Sequence, residues 1–277
     1  MGRRRPCAKS CRQAGEEKTV IPAFFYALLL LWGCASDSKG ALRVAATPVP
    51  HAEMLSEIQG DLKKQGIDLQ IVVVDDYILP NRLLFEKEVD ANFFQHLPFL
   101  KKQEKEFGYR FSSLAKIHLE PLGIYSKRFQ SLSSIPDKSS IALPNDPTNE
   151  ARALNLLEKE GVIHLQEGDK ENATAASIVS NPKGLTFLEV DAPMLPRALT
   201  DVAAAVIPGN FALQAGLDPL RDPLAKESTD SPYANILVIR IEEEGRPELQ
   251  ALKEAMTSEK MRAFILTKYK GAIIPVF

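Results

Sequence analysis

From residue 41 onward, short apolar runs alternate with amphipathic stretches, each the length of one strand or one helix face. Residues 42–47 predict a strand. Residues 51–65 predict a helix, with Leu55, Ile58 and Leu62 on one face and Gly66 as its stop. Residues 69–74, rich in Val and Ile, predict a buried strand, 80–88 a helix, 91–94 a strand, and 98–107 a helix ending at Gly108. Residues 116–125 are extended. The alternation restarts after Ser131: strand 140–143, helix 148–160 stopped by Gly161, strand 185–189, helix 193–199 and strand 203–207. A strong strand at 236–240 precedes two helices, 247–256 and 258–268, the latter capped by Ser258. Repeated β-α-β order predicts an α/β fold of mostly parallel sheets flanked by helices. Two such sets predict two lobes, 41–120 with 235–277 and 121–234, joined by extended crossovers. Such folds place ligands at strand carboxyl ends, here in a cleft between the lobes.

The first 40 residues follow a different pattern. Arg3, Arg4, Arg5, Lys9 and Arg12 precede an uncharged apolar run, 20–32, too short to span a bilayer and of the length of a signal-peptide core. It ends in Leu31-Trp32-Gly33-Cys34, the Leu-x-Gly-Cys pattern of a bacterial lipoprotein cleavage site, although Trp32 stands where a small residue is usual. Residues 1–33 therefore read as a signal peptide, Cys34 as the acylated residue, and 34–40 as a polar tether. The expected location is the cell envelope, with the protein held to a bacterial membrane by lipid and facing the periplasm or exterior. Cys7 and Cys11 fall in the removed segment, so the mature chain has no disulfide and depends on its core. Loss of a segment with six basic and two acidic residues takes the formal charge from −2 to −6, which gives no nucleic-acid surface.

Little in the chain supports catalysis. A nucleophilic thiol, a Gly-x-Ser-x-Gly elbow and a Walker-type loop are all missing, and no cofactor motif is present. His51, His96, His118 and His164 lack close metal-ligand spacing; three of them with a carboxylate remain a minority reading as a metal site.

Two segments carry recognition chemistry. In Pro144-Asn145-Asp146-Pro147-Thr148-Asn149-Glu150-Ala151-Arg152 a strand ends, Asp146 caps a helix, and Pro147 occupies its first turn. Arg152 and Asn149 share a face near the positive end of that helix, an arrangement suited to a carboxylate or phosphate, with an ordinary capped helix and a solvated Arg as the alternative. In Asn92-Phe93-Phe94-Gln95-His96-Leu97-Pro98-Phe99, strand alternation sends Phe93 and Phe94 to opposite faces. Tyr77, Phe94, His96 and Phe99 would then form an aromatic wall at the strand ends, with ordinary core packing as the alternative.

These residues resemble the NlpA-type lipoproteins. The resemblance runs in order through Pro50-His51-Ala52-Glu53, Asp76-Tyr77-x-x-Pro80-Asn81, Asp90-Ala91-Asn92-Phe93-Phe94-Gln95-His96, His118-x-Glu120-Pro121-x-Gly123 and Pro144 to Arg152. It continues through Asn181-Pro182-Lys183, Leu195-Pro196-Arg197 and Asp230-Ser231-Pro232-Tyr233-Ala234-Asn235. It implies a two-lobed, type II periplasmic-binding-protein fold and a substrate-binding lipoprotein that passes methionine or a close analogue to the permease and ATPase of an ABC importer. It also implies that Tyr77 and Phe94 sandwich the thioether beside His96 and Phe99. Arg152, helped by Asn149, would hold the α-carboxylate in a two-pronged pair, and Asn235 the backbone end of the amino acid. One departure stands out: relatives usually read Val-Ile-Asn-x-x-Tyr where this chain has Val206-Ile207-Pro208-Gly209-Asn210-Phe211. Pro208 removes an amide side chain, for which Asn210 is the available substitute. A metal-capture or hydrolytic site on His51, His96 and His118, or an adhesion lipoprotein with an altered pocket, are the rival readings.

Overall fold

The computed structural model describes residues 40–168 and 170–277; the signal-peptide, Cys34 and most of the tether lie outside the described residues. In chain order, β1 (Leu42–Ala46), α1 (Glu53–Lys64), β2 (Leu69–Val73), α2 (Leu79–Phe85), β3 (Ala91–His96), α3 (Leu97–Phe107) and β4 (Phe111–Leu119) come first. Then follow β5 (Gly123–Tyr125), β6 (Ser140–Pro144), α4 (Pro147–Lys159), β7 (His164–Leu165), β8 (Ile178–Ser180), β9 (Thr186–Val190), α5 (Leu195–Ala198), β10 (Ala204–Ile207), α6 (Gly209–Gln214) and β11 (Ala225–Lys226). The chain closes with β12 (Asn235–Arg240), α7 (Pro247–Met256), α8 (Glu259–Tyr269) and β13 (Ile274–Pro275).

One sheet has the order β13-β4-β12-β3-β1-β2 and a second β11-β5-β10-β6-β9, with β7 and β8 a separate hairpin. The heptad-like face of α1 buries Met54, Leu55, Ile58 and Leu62 against Leu249, Leu252 and Met256 of α7 and the first sheet. A fully buried Leu or Ile of this kind contributes about 1.5–3 kcal/mol, so these rows anchor the first core. The second sheet buries Ile124, Ile141, Leu143 and Val206 under Leu154 and Leu157 of α4. Both helices thus turn a single apolar stripe into tertiary packing, as their 3.6-residue spacing requires.

The expectation of mostly parallel sheets needs correction. Pairs β1–β2, β1–β3, β6–β10 and β6–β9 are parallel, but β3–β12, β12–β4, β4–β13, β10–β5 and β5–β11 are antiparallel. The reason is topological. The β-α-β strands of each sheet end facing the other sheet, whereas a strand arriving from the opposite sheet starts there and must run the other way. β5, entered directly from β4, and β12, entered from β11, are those strands. Among the described residues, no helix is long and apolar enough to cross a membrane.

Candidate functional site

The carboxyl ends of β3 and β6 and the start of β12 converge on a small cavity. From the first sheet, alternation along β3 places Phe93 in the core and Phe94 in the cavity wall, as expected. Tyr77, after β2, and Phe99, in the first turn of α3, complete the wall. Their ring centroids lie 5.9–6.0 Å apart from Phe94 and from each other, in tilted and edge-on contacts. Phe211 of α6 packs on Tyr77 at 5.1 Å.

His96 ends β3 and caps α3: its Nδ1 accepts the Phe99 N–H at 3.1 Å. The proton therefore sits on Nε2, which donates to Asn149 Oδ1 at 3.2 Å. Burial, and then the positive Arg152, push the His96 pKa down to about 3. Asn149 is less free than the sequence suggests. Its Nδ2 donates to both Asp146 carboxylate oxygens at 3.0 Å, and its Oδ1 receives His96 and, at 3.4 Å, Arg152 Nη1. Asn149 lines the cavity with an amide already spent on orienting its neighbours.

Arg152 is buried and heavily restrained. Nε and Nη2 form a fork on Glu227 at 2.7 and 2.5 Å, and Nη2 also donates to the Glu120 carbonyl at 2.8 Å. Tyr233 covers the guanidinium at 4.5 Å and packs against His96 at 5.0 Å. The two-pronged face expected for a ligand is thus held by Glu227, which leaves Nη1 as the donor with capacity to spare.

Beside Arg152 lies a polar cluster that sequence reasoning only half saw. Glu120 follows β4 at the crossover to the second sheet, 5% exposed. His118 Nε2 is 2.6 Å and His51 Nε2 3.3 Å from its Oε1, and the Asn210 backbone N–H also donates to it. Hydrogen-bond bookkeeping fixes both tautomers. His51 Nε2 faces two acceptors, Glu120 Oε1 and Asn235 Oδ1 at 3.2 Å, so it carries the proton and Nδ1 accepts from Thr47 at 2.7 Å. His118 Nδ1 has no partner, and an orphaned lone pair costs less than an orphaned N–H, so its proton too sits on Nε2. Two neutral imidazoles therefore aim N–H groups at one carboxylate. Burial holds the His51 pKa down at about 4 and that of His118 at about 3, and raises that of Glu120.

The metal grouping of His51, His96 and His118 is corrected by this geometry. His51 and His118 do meet, within 4.8 Å of each other and of Glu120, but His96 is engaged with Asn149 instead. His51, His118 and Glu120 form a hydrogen-bond network among themselves, in which His118 Nδ1 alone lacks a partner among the described residues.

Pro208 starts α6 as its cap, and Gly209 follows because space is short. A Cβ there would stand 3.0 Å from Glu120 Cβ and 3.2 Å from the Pro121 carbonyl. This brings Asn210 into the wall, 1% exposed, with Oδ1 accepting the Tyr77 hydroxyl at 2.6 Å and Nδ2 unpartnered among the described residues. All eight expected binding residues, Tyr77, Phe94, His96, Phe99, Asn149, Arg152, Asn210 and Asn235, line this one cavity. Gln95, Glu120, Pro208 and Gly209 line it as well, and Glu227 and Tyr233 act from behind Arg152. Glu120 had a signal in its buried-carboxylate spacing from His118; Glu227 had none.

The imidazoles make a pH prediction. Unfolded His takes up its proton below about pH 6.5, whereas folded His96 does so only near 3. Its contribution to stability is complete above about pH 6.5 and drains away as pH falls toward 3. Urea midpoints of His96→Gln should therefore fall less steeply with acidification than those of the parent. Long-range ¹⁵N NMR should show His51 and His118 neutral, protonated at Nε2, down to about pH 5.

A cleft between two sheets, walled by aromatics on one side and an anchored Arg on the other, defines a solute-binding protein of the periplasmic-binding-protein fold. The NlpA lipoprotein family profile matches residues 42–277, and the chain belongs to that family. The methionine-binding lipoprotein MetQ of Bacillus subtilis is 40% identical over 247 residues, covering 87% of this chain and 90% of that protein. The D-methionine-binding lipoprotein MetQ of Escherichia coli K12 is 37% identical over 238 residues, covering 84% and 88%. A nutrient-binding protein from Burkholderia cenocepacia, solved bound to methionine, superimposes with a TM-score of 0.83 at 40% identity, over 86% of this chain and all of that one.

Proposed function

We propose that this chain is the substrate-binding lipoprotein of an ABC importer, capturing methionine or a close analogue and handing it to the permease and ATPase complex. The observation that carries the reading is the polarity of the cavity: an aromatic end formed by Tyr77, Phe94 and Phe99, and a zwitterion end formed by Arg152 and Glu120. In this reading the thioether lies among the three rings, where sulfur–aromatic contacts contribute roughly 0.3–1.5 kcal/mol each. The α-carboxylate takes Arg152 Nη1 and the unpartnered Asn210 Nδ2, so Asn210 fills the role that Pro208 vacates. The ammonium takes Glu120, with Asn235 beside it.

The lobes are 41–120 with 235–277 and 121–234, hinged at the two crossovers. Tyr77 to Asn210 and His96 to Asn149 already join residues attached to different sheets. A ligand that contacts both sides favours this closed arrangement by its added contacts. Acylation of Cys34 would hold the protein at the membrane beside its transporter. Calorimetry on residues 35–277 tests the assignment. L-methionine should bind one to one, while N-acetylmethionine and methioninol, each lacking one charged end, should bind at least about 100-fold more weakly. Equal binding of all three would refute the zwitterion end.

A further inference from the structure

The end of the first sheet farthest from the cavity carries an aromatic surface that ligand capture does not use. Phe85 closes α2 and Phe107 closes α3, where Gly108 adopts φ 72° and turns the chain back. Tyr109 stacks between Phe107 and Phe111, at 5.6 and 5.1 Å, and packs on Phe85 at 5.2 Å. Phe85, Phe107 and Ile241 are nonetheless 56%, 51% and 45% exposed, a clustered apolar exposure rather than scattered single residues.

The chain's attachment point lies at this same end. β1 starts at Leu42 and runs parallel to β3, and Asp90, just before β3, accepts the Arg43 N–H at 2.7 Å. Arg240, at the far end of β12, donates to the Leu84 and Val89 carbonyls at 2.8 and 2.6 Å and is registered with Phe111. β1 is two strands from β12, so its start lies on the order of 10 Å from this edge. Cys34 precedes Gly40 by six residues, which span roughly 20 Å at most. If Cys34 carries lipid, as the proposed function holds, Gly40 cannot leave the bilayer surface by more than that.

We propose that this aromatic end rests on the headgroup region of the bilayer that holds Cys34. Aromatic rings favour that boundary, and the exposed Lys87 and Arg110 beside them can lay their stems along it. Charge is not the driving force. Glu86 is paired with Arg82 and Glu88 with Arg43, and with Glu242 beside them Lys87 and Arg110 leave a net of only +1. The contact is apolar and persists at high salt.

Hydrogen exchange tests this on the lipidated protein in phosphatidylethanolamine–phosphatidylglycerol vesicles, compared with the unlipidated form starting at residue 35. Segments 85–88 and 105–111 should exchange several-fold more slowly on vesicles at low and high salt. Segments 73–79, at the cavity end, and 178–180 should not change. Phe85→Ser with Phe107→Ser should remove the protection without altering methionine binding. Unchanged exchange at 85–88 and 105–111 in vesicle-anchored protein overturns the proposal. So does protection of the unlipidated form that grows with its concentration, which would assign the surface to self-association. Intact mass reports acylation of Cys34 separately. If the thiol proves unmodified, coupling a maleimide lipid to it supplies the same tether, and the same two outcomes decide.

Discussion

Arg152→Ala is expected to lower methionine affinity by about 10- to 100-fold and to destabilise the fold by roughly 3–5 kcal/mol. Both effects come from one guanidinium. On the cavity side it contributes a charge-assisted donor to the carboxylate, worth on the order of 1.5–3 kcal/mol. On the other side it neutralises Glu227, whose side chain is 13% exposed and bonded to Nε and Nη2. Truncation leaves that carboxylate without a counter-ion. Arg152→Met combined with Glu227→Gln separates the two consequences, because it removes both charges together. That double variant should recover most of the lost thermal stability and still fail to bind. Recovery of binding along with stability would place the carboxylate elsewhere.

Glu120→Gln should move binding and stability in opposite directions. The native carboxylate is buried, carries a raised pKa, and is held by two neutral imidazole N–H groups and one backbone N–H rather than by a cation in contact. Gln keeps nearly the same shape and removes the buried charge. The ligand-free protein should therefore unfold at equal or higher denaturant concentration. Methionine affinity should fall by about 10- to 100-fold, since the ammonium loses its charged acceptor. If the variant instead loses stability and keeps its affinity, Glu120 is structural and the ammonium is read by another group.

Much of this site was legible from local patterns. Asp146 as helix cap and Pro147 in the first turn follow from spacing within nine residues, whereas the same spacing left a solvated Arg152 as the alternative to the buried one observed. Strand alternation sorted Phe93 from Phe94. What stayed hidden were the long-range partners. Glu227 lies 75 residues beyond Arg152, and nothing local marks it as the group that takes the guanidinium fork. Asn149 was expected to help the ligand's carboxylate, yet its amide is consumed by Asp146 and His96, because hydrogen-bond capacity is assigned by tertiary neighbours. His51 and His118 are 67 residues apart, and only the sheet brings their Nε2 atoms to Glu120. Strand direction was misjudged for the same reason: β5 and β12 reverse because they cross between sheets, which periodicity does not report. The short β7–β8 hairpin and α6 were missed as elements, each too brief to show a period.

At Pro208-Gly209-Asn210, where the resemblance implied an amide at 208, the geometry offers a substitute two residues later. The Asn210 amide is set by the Tyr77 hydroxyl, which fixes Oδ1 and leaves Nδ2 free to donate. That amide is presented to the cavity from the start of a short helix.

Native mass spectrometry of residues 35–277, purified without added ligand, tests the central claim most directly. A folded population carrying one methionine, released on unfolding and replaced by added methionine after refolding, is the result this account predicts. A protein that emerges empty and takes up neither L- nor D-methionine would contradict it.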